Sequence, residues 1–311
     1  MLWAGPPVLL YGSYVVSMGS HMPAREAVGP SHIYLLSEGQ QADLKAILND
    51  PTPDPLSVAC VHKAYEYREK VTSNFRTLVA SPFVITGDVP IERLRSLHEE
   101  VILPAAEAMW LTYFHQRPDQ PIVIVLTSSE KTFQDLAWAW DKRRPRGYYG
   151  YYLRDQHRMV VNLSTGAGTL THELTHALSQ ADCQNLPEWF DEGLASLHEH
   201  CEIDETGRLI GLSNWRTRLL KDIVTRTGKL PISFEDLTRT GIPRDADQQL
   251  QYALSRTLCL WLQQQDTLNA YYKSLKQNQD PFATLLKATH SRTPADLEKA
   301  FTNSLITGQL D

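Results

Sequence analysis

Two histidines four residues apart, His172 and His176, constrain their segment more than any other feature of the 311-residue chain. On an α-helix, positions i and i+4 share one face, one turn apart. Leu170, Leu174, Ala177 and Leu178 can anchor the same segment in a core. The segment therefore reads as a half-buried helix with two imidazoles on one face. Gly166-Ala167-Gly168 leads into it, and Thr169 is the expected cap.

Two imidazoles so placed can hold one metal ion through their ring nitrogens. Glu173, beside the first of them, can reach a water at that metal and take its proton, since zinc lowers the pKa of such a water toward ~7. A third ligand is available downstream. The stretch Leu186-Pro187-Glu188-Trp189-Phe190-Asp191-Glu192-Gly193-Leu194-Ala195-Ser196-Leu197 reads as a new helix, with Pro187 suited to its first position and acidic residues in its first turn. Glu188, Asp191 and Glu192 compete. The helix dipole alone accounts for Glu188. Glu192 lies one turn further in, followed by the small residues Gly193 and Ala195, which let two metal-bearing helices approach closely. Glu192 is favoured and Asp191 is second. A tetrahedral His-His-Glu site keeps its fourth position for water. Ser196 is placed to support a ligand.

The rest of the chain frames this motif. Pro121 opens Ile122-Val123-Ile124-Val125-Leu126, a continuous β-branched run typical of a buried strand. Thr127 and Glu130 form a capping-box pattern for a following helix. Residues 82–87 read as a short strand, and residues 91–116 as a helix kinked at Pro104. Residues 40–78 are helix-compatible except across the prolines at 51, 53 and 55. Residues 147–153 and 158–163 read as two strands joined by the polar turn Asp155-Gln156-His157. From Leu250 the apolar stripe Leu250, Ala253, Leu254, Thr257, Leu258, Trp261, Leu262 predicts an amphipathic helix with Tyr252 off its stripe. Thr293 and Asp296 form a further capping box.

Composition narrows the function class. A net charge of −6 lacks the basic field that nucleic-acid binding needs. The four cysteines form no C-x-x-C pair, and no run of 18 apolar residues marks a membrane span. Residues 1–17 are apolar but carry no Lys or Arg and are broken by Gly5-Pro6-Pro7 and Gly12-Ser13. They read as a degenerate signal or anchor, and Gly19-Ser20-His21-Met22 as a cloning scar, with Met18 or Met22 as alternative starts. Membrane association is not expected unless through residues 1–17. The location is periplasmic or secreted if that segment is a signal and cytoplasmic otherwise.

His172-Glu173-Leu174-Thr175-His176 followed by Trp189-Phe190-Asp191-Glu192-Gly193-Leu194-Ala195 resembles the gluzincin metallopeptidases, whose H-E-x-x-H precedes a W-x-x-E-G-x-A segment. It resembles more closely the bacterial peptidase-MA-like group. The resemblance runs from about Phe83 to the C-terminus and is specific around residues 165–197. It implies zinc ligands at His172, His176 and Glu192, one Zn2+ per chain, and the catalytic glutamate at Glu173. It also implies a downstream tyrosine that stabilises the oxyanion, for which Tyr252 is the candidate beside Tyr148, Tyr149, Tyr151 and Tyr152. The loop from His176 to Glu192 is shorter than in thermolysin-like or aminopeptidase members. The aminopeptidases' G-x-M-E-N motif is absent, so recognition of a substrate's N-terminal amine is not implied. Residues 147–152 lie where an edge strand would precede the metal helix.

The resulting expectation is an α+β fold. Residues 1–30 are set aside, 31–80 form an N-terminal helical extension, 81–200 a zincin-like core with a small mixed sheet, and 201–311 a helical C-terminal subdomain. The expected activity is zinc-dependent hydrolysis of a peptide or protein. The rivals are a zinc-binding interaction protein without substrate access and a metal hydrolase of a non-peptide amide or ester. His198 and His200 read as surface or supporting groups. Cys183 and Cys201 can pair in an oxidising compartment or stay as thiols. Residues 142–146, Lys-Arg-Arg-Pro-Arg, form a basic loop that is either solvated or in contact with an acidic substrate.

Overall fold

The computed structural model describes residues 33–35, 52–145, 147, 149–240 and 248–311. The expectations for residues 1–30, for Tyr148 and for Arg146 fall outside them. A six-stranded mixed sheet forms the centre, in the order β1 (Ile33–Leu35), β2 (Arg76–Ala80), β3 (Phe83–Gly87), β4 (Ile122–Thr127), β6 (Arg158–Asn162), β5 (Gly150–Leu153). β3, β4 and β6 are parallel, while β1, β2 and the edge strand β5 run antiparallel to their neighbours.

The apolar run at 122–126 makes β4 the middle of this sheet because both of its faces are covered. Ile122, Ile124 and Leu126 join one cluster of buried side chains, and Val123 and Val125 another. Helices α1 (Pro55–Lys70) and α4 (Glu130–Asp141) cover the valine face through Val61, Ala64, Phe133 and Ala137. The opposite face is covered by α2 (Ile91–Leu97), α3 (Leu103–Thr112) and α5 (Gly168–Asp182). This second cluster continues through α6 (Glu188–His198) into the C-terminal helices and ends at Leu310. Those helices are α7 (Trp215–Thr227), α8 (Phe234–Thr240), α9 (Gln248–Gln264), α10 (Leu268–Lys276), α11 (Pro281–Ala288) and α12 (Pro294–Ile306). The architecture is thus α+β, with a small mixed sheet and a helical C-terminal region. A short hairpin, β7 (Cys201–Ile203) with β8 (Leu209–Gly211), bridges the two parts. No helix among the described residues is long and apolar enough to cross a membrane.

Several local expectations are corrected. Of the helix-compatible residues 40–78, residues 40–51 lie outside the described ones, and the helix that forms is Pro55–Lys70. Arg76–Ala80 is instead a strand, because Leu78 and Val79 point into opposite clusters as only an extended chain allows. Thr127 does not cap α4. It is the last residue of β4, and its hydroxyl donates to the Val161 carbonyl, so the cap falls to Ser129, which accepts from the Thr132 amide at 3.2 Å. Thr169 lies inside α5, which starts without a side-chain cap at Ala167. The irregularity expected at Pro104 takes the form of a π-helical turn over His98–Ile102 just before it. The capping box at Thr293 and Asp296 forms as expected.

Candidate metal centre and cleft

Helix α5 buries Leu170, Leu174, Ala177 and Leu178, which turns the face bearing His172 and His176 toward α6. The Nε2 atoms of the two imidazoles stand 3.1 Å apart. Glu192, on α6, brings Oε2 to 3.5 Å from Nε2 of His172 and 3.6 Å from that of His176. The circle through these three atoms has a radius of ~2.0 Å, matching the ~2.0–2.1 Å at which histidine nitrogen and carboxylate oxygen bind Zn2+. His172, His176 and Glu192 are the one such group of potential metal ligands among the described residues.

Each imidazole is oriented from behind. Nδ1–H of His172 donates to Oε1 of Glu199 at 2.9 Å, and Nδ1–H of His176 donates to Oδ2 of Asp191 at 2.9 Å. Glu199 is in turn paired with Arg216. Asp191 is paired with Arg154 and accepts from the Ser179 hydroxyl at 2.9 Å. Such carboxylate partners fix the tautomer and present the other ring nitrogen to a metal. Asp191, the second choice as ligand, is therefore a support for His176. Glu199 was not singled out from the sequence. Two imidazoles that are to hold one metal each need a further acceptor, but nothing local to Glu199 marks it as one of them.

The site favours positive charge. Burial works to lower the pKa of His172, but the carboxylates of Glu192 and Glu199 outweigh it and hold that pKa at about 9. Burial likewise opposes the charged form of His176, and Asp191 and Glu192 raise its pKa well above the ordinary value. Burial raises the pKa of Glu192, yet the two imidazoles pull it far below the usual carboxylate range. Glu173 is different: burial raises its pKa, and the two imidazoles only partly offset this.

These groups line a cleft of about 990 Å3 that is open to solvent. Glu173 lies against β5. A side chain on Gly150 would come within 2.6 Å of Thr169 Cγ2 and 3.0 Å of Glu173 Oε1, so only glycine leaves the carboxylate its place. The strand is tied to α5 by the Tyr152 hydroxyl, which donates to Gln180 Oε1 at 2.6 Å. Tyr252, half-buried on α9, lines the same cleft, as do Tyr151, Tyr152, Arg143, Arg144 and Arg154.

Other expectations meet a different outcome. Gly193 does provide close approach, but to α9 rather than to the metal helix: a Cβ there would sit 2.8 Å from the Ser255 carbonyl oxygen. Ser196 supports no ligand among the described residues; its hydroxyl is buried with no hydrogen-bond partner among them, and its carbonyl accepts from Arg256. His198 is fully buried, hydrogen-bonds Thr175 through Nδ1 at 3.0 Å, and is held neutral by burial, which lowers its pKa to about 3. His200 bonds the Ser213 carbonyl. Cys183 and Cys201 are both free thiols. Among known proteins, no family model and no curated protein matches the chain.

Proposed function

We propose that this chain is a zinc-dependent peptidase with a zincin-like core, of the gluzincin type that its two motif segments resemble. One observation carries the reading: three donor atoms of His172, His176 and Glu192 lie on a circle of metal-binding radius, with Glu173 beside them in an open cleft. The imidazoles would hold zinc through Nε2 and Glu192 through Oε2. When bound, zinc supplies a Lewis acid for the scissile carbonyl and lowers the pKa of water toward ~7.

The remaining chemistry belongs to the chain. Glu173 takes a proton from the attacking water and delivers it to the nitrogen of the leaving amine. A carboxylate whose pKa burial has raised suits both halves of that task. Tyr252, also lining the cleft, donates to the developing oxyanion. The edge of β5, unpaired among the described residues, accepts an extended peptide as an added strand. The size of the cleft beside Glu173 favours an enzyme over a metal-holding interaction protein.

The test is elemental analysis with a chelator-controlled peptidase assay. The expected result is about one zinc per chain and hydrolysis abolished by chelation. Glu173→Gln should keep the zinc and lose ~10²–10⁴-fold in turnover. A protein that takes up no zinc on reconstitution, or an undiminished Glu173→Gln enzyme, refutes the reading.

A further inference from the structure

The cleft has a basic wall that the hydrolytic chemistry does not use. Arg143 and Arg144 follow the end of α4 and line the same cavity as the metal-site residues. Their loop is held in place. Lys142 adopts the left-handed conformation at φ 53°, the Arg143 amide donates to the Ala137 carbonyl at 3.0 Å, and Gln134 Nε2 donates to the Pro145 carbonyl at 2.6 Å. The two guanidinium groups are placed by aromatic rings. Arg143 lies over Tyr151 at 5.4 Å from the ring centre, and Arg144 over Trp138 at 4.5 Å.

Neither group is in an ion pair among the described residues. The nearby arginines Arg154 and Arg158 are each neutralised, by Asp191 and Asp141. Two exposed cations, held on aromatic rings beside a peptide-sized cleft and without an ion-pair partner among the described residues, are a prepared receptor for anionic side chains, because little ordering is left to be done on binding. The positive charge is confined to this loop, since the same cleft is also lined by the carboxylates of Glu173, Glu188, Asp191 and Glu192.

We propose that the Arg143–Arg144 wall selects peptides carrying carboxylate side chains next to the bond at the metal centre. This rests on the peptidase reading and names its substrate class. Along β5, whose Gly150 backs onto Glu173, a bound strand would run past the arginine loop with its acidic residues facing the guanidinium pair.

The test is binding, measured with the full-length Glu173→Gln protein reconstituted with zinc. The probes are three blocked octapeptides of one Gly/Ala framework carrying three Glu, three Gln or three Lys, each with one neutral dye and followed by fluorescence anisotropy at low and high salt. The Glu peptide should bind at least ~10-fold more tightly than the Gln peptide at low salt, and the ratio should shrink at high salt. Arg143→Gln/Arg144→Gln should bring the ratio to within ~2-fold with zinc content and melting temperature intact, while Arg143→Lys/Arg144→Lys keeps only part of it, because the charge remains but the planar stacking on Tyr151 and Trp138 is lost. Equal binding of the three peptides, or a Glu preference that survives the double glutamine variant, overturns the proposal. The wild-type enzyme separates the two readings: selective binding with no peptide cleaved refutes the peptidase, whereas cleavage indifferent to acidic residues refutes the basic wall.

Discussion

Replacing Gly193 by alanine tests whether the ligand-bearing helix α6 is held by backbone contact with α9. The new Cβ would lie 2.8 Å from the Ser255 carbonyl oxygen, 2.9 Å from its carbon and 3.0 Å from Cys259 Sγ. Ordinary contact begins near 3.4 Å, so the two helices must part by about 0.5 Å, and two of the three obstructing atoms are backbone that cannot rotate away. Such overpacking costs about 1–3 kcal/mol, against about 1 kcal/mol gained from alanine's better helix propensity. A net loss of about 1 kcal/mol should lower Tm by about 2–4 °C. Zinc affinity should fall further, about 10-fold or more, because Glu192 is the adjacent residue and metal ligands tolerate only about 0.2 Å of displacement. Chemical denaturation and zinc competition against a chromophoric chelator measure the two effects. Cys259→Ala should restore little, since it removes only the sulfur contact. An alanine variant that melts higher and binds zinc normally would refute the reasoning.

Zinc affinity should depend steeply on pH: His172, held at about 9, keeps its proton at neutral pH, and zinc needs the neutral ring. That one proton should weaken binding about 50-fold from pH 9 to pH 7, and a flat competition profile would contradict it. In the chelated protein the sign reverses: the stability that His172 contributes is full below its ordinary value of 6.5 and lost as pH rises through about 9, visible as a falling Tm. Tyr252→Phe should lower kcat about 10²-fold with KM and zinc content nearly constant, as expected for loss of one oxyanion donor; an unchanged kcat excludes that role. Asp182→Asn should cost about 1–3 kcal/mol in a denaturant titration, because the buried carboxylate accepts from the His115 and Gln116 amides and from Tyr272 and pairs with the part-exposed Lys276 at 2.8 Å; a loss under 0.5 kcal/mol, roughly that of an ordinary surface change, would show these contacts to be dispensable.

The elements that carry the site were legible because their patterns are local. The spacing of His172 and His176, the apolar run of β4 and the stripe of α9 each fix one element without reference to the rest of the chain. What the sequence hid was partnership across elements. Nothing near Glu199 says that its carboxylate faces an imidazole a full helix earlier, and nothing at Gly150 says that Glu173 lies behind it. Gly193 was recognised as a point of close approach, yet its neighbour was misassigned, since a missing side chain shows that something comes near but not what. Caps were misplaced by two residues where a threonine had another use, as Thr127 does in holding β4 to β6.

Helix α9 has a double duty with an evolutionary consequence. One side of it bears directly on the backbone of α6 at Gly193, and the same helix brings Tyr252 to the cleft. The C-terminal region is therefore not a module that can be exchanged between proteins while the candidate metal centre is kept. A replacement would have to reproduce both the naked helix contact and the wall of the cleft at once. Variation should accumulate instead where neither is touched, on the outer faces of α11 and α12, and a lineage that lost α9 would be expected to lose the metal centre with it.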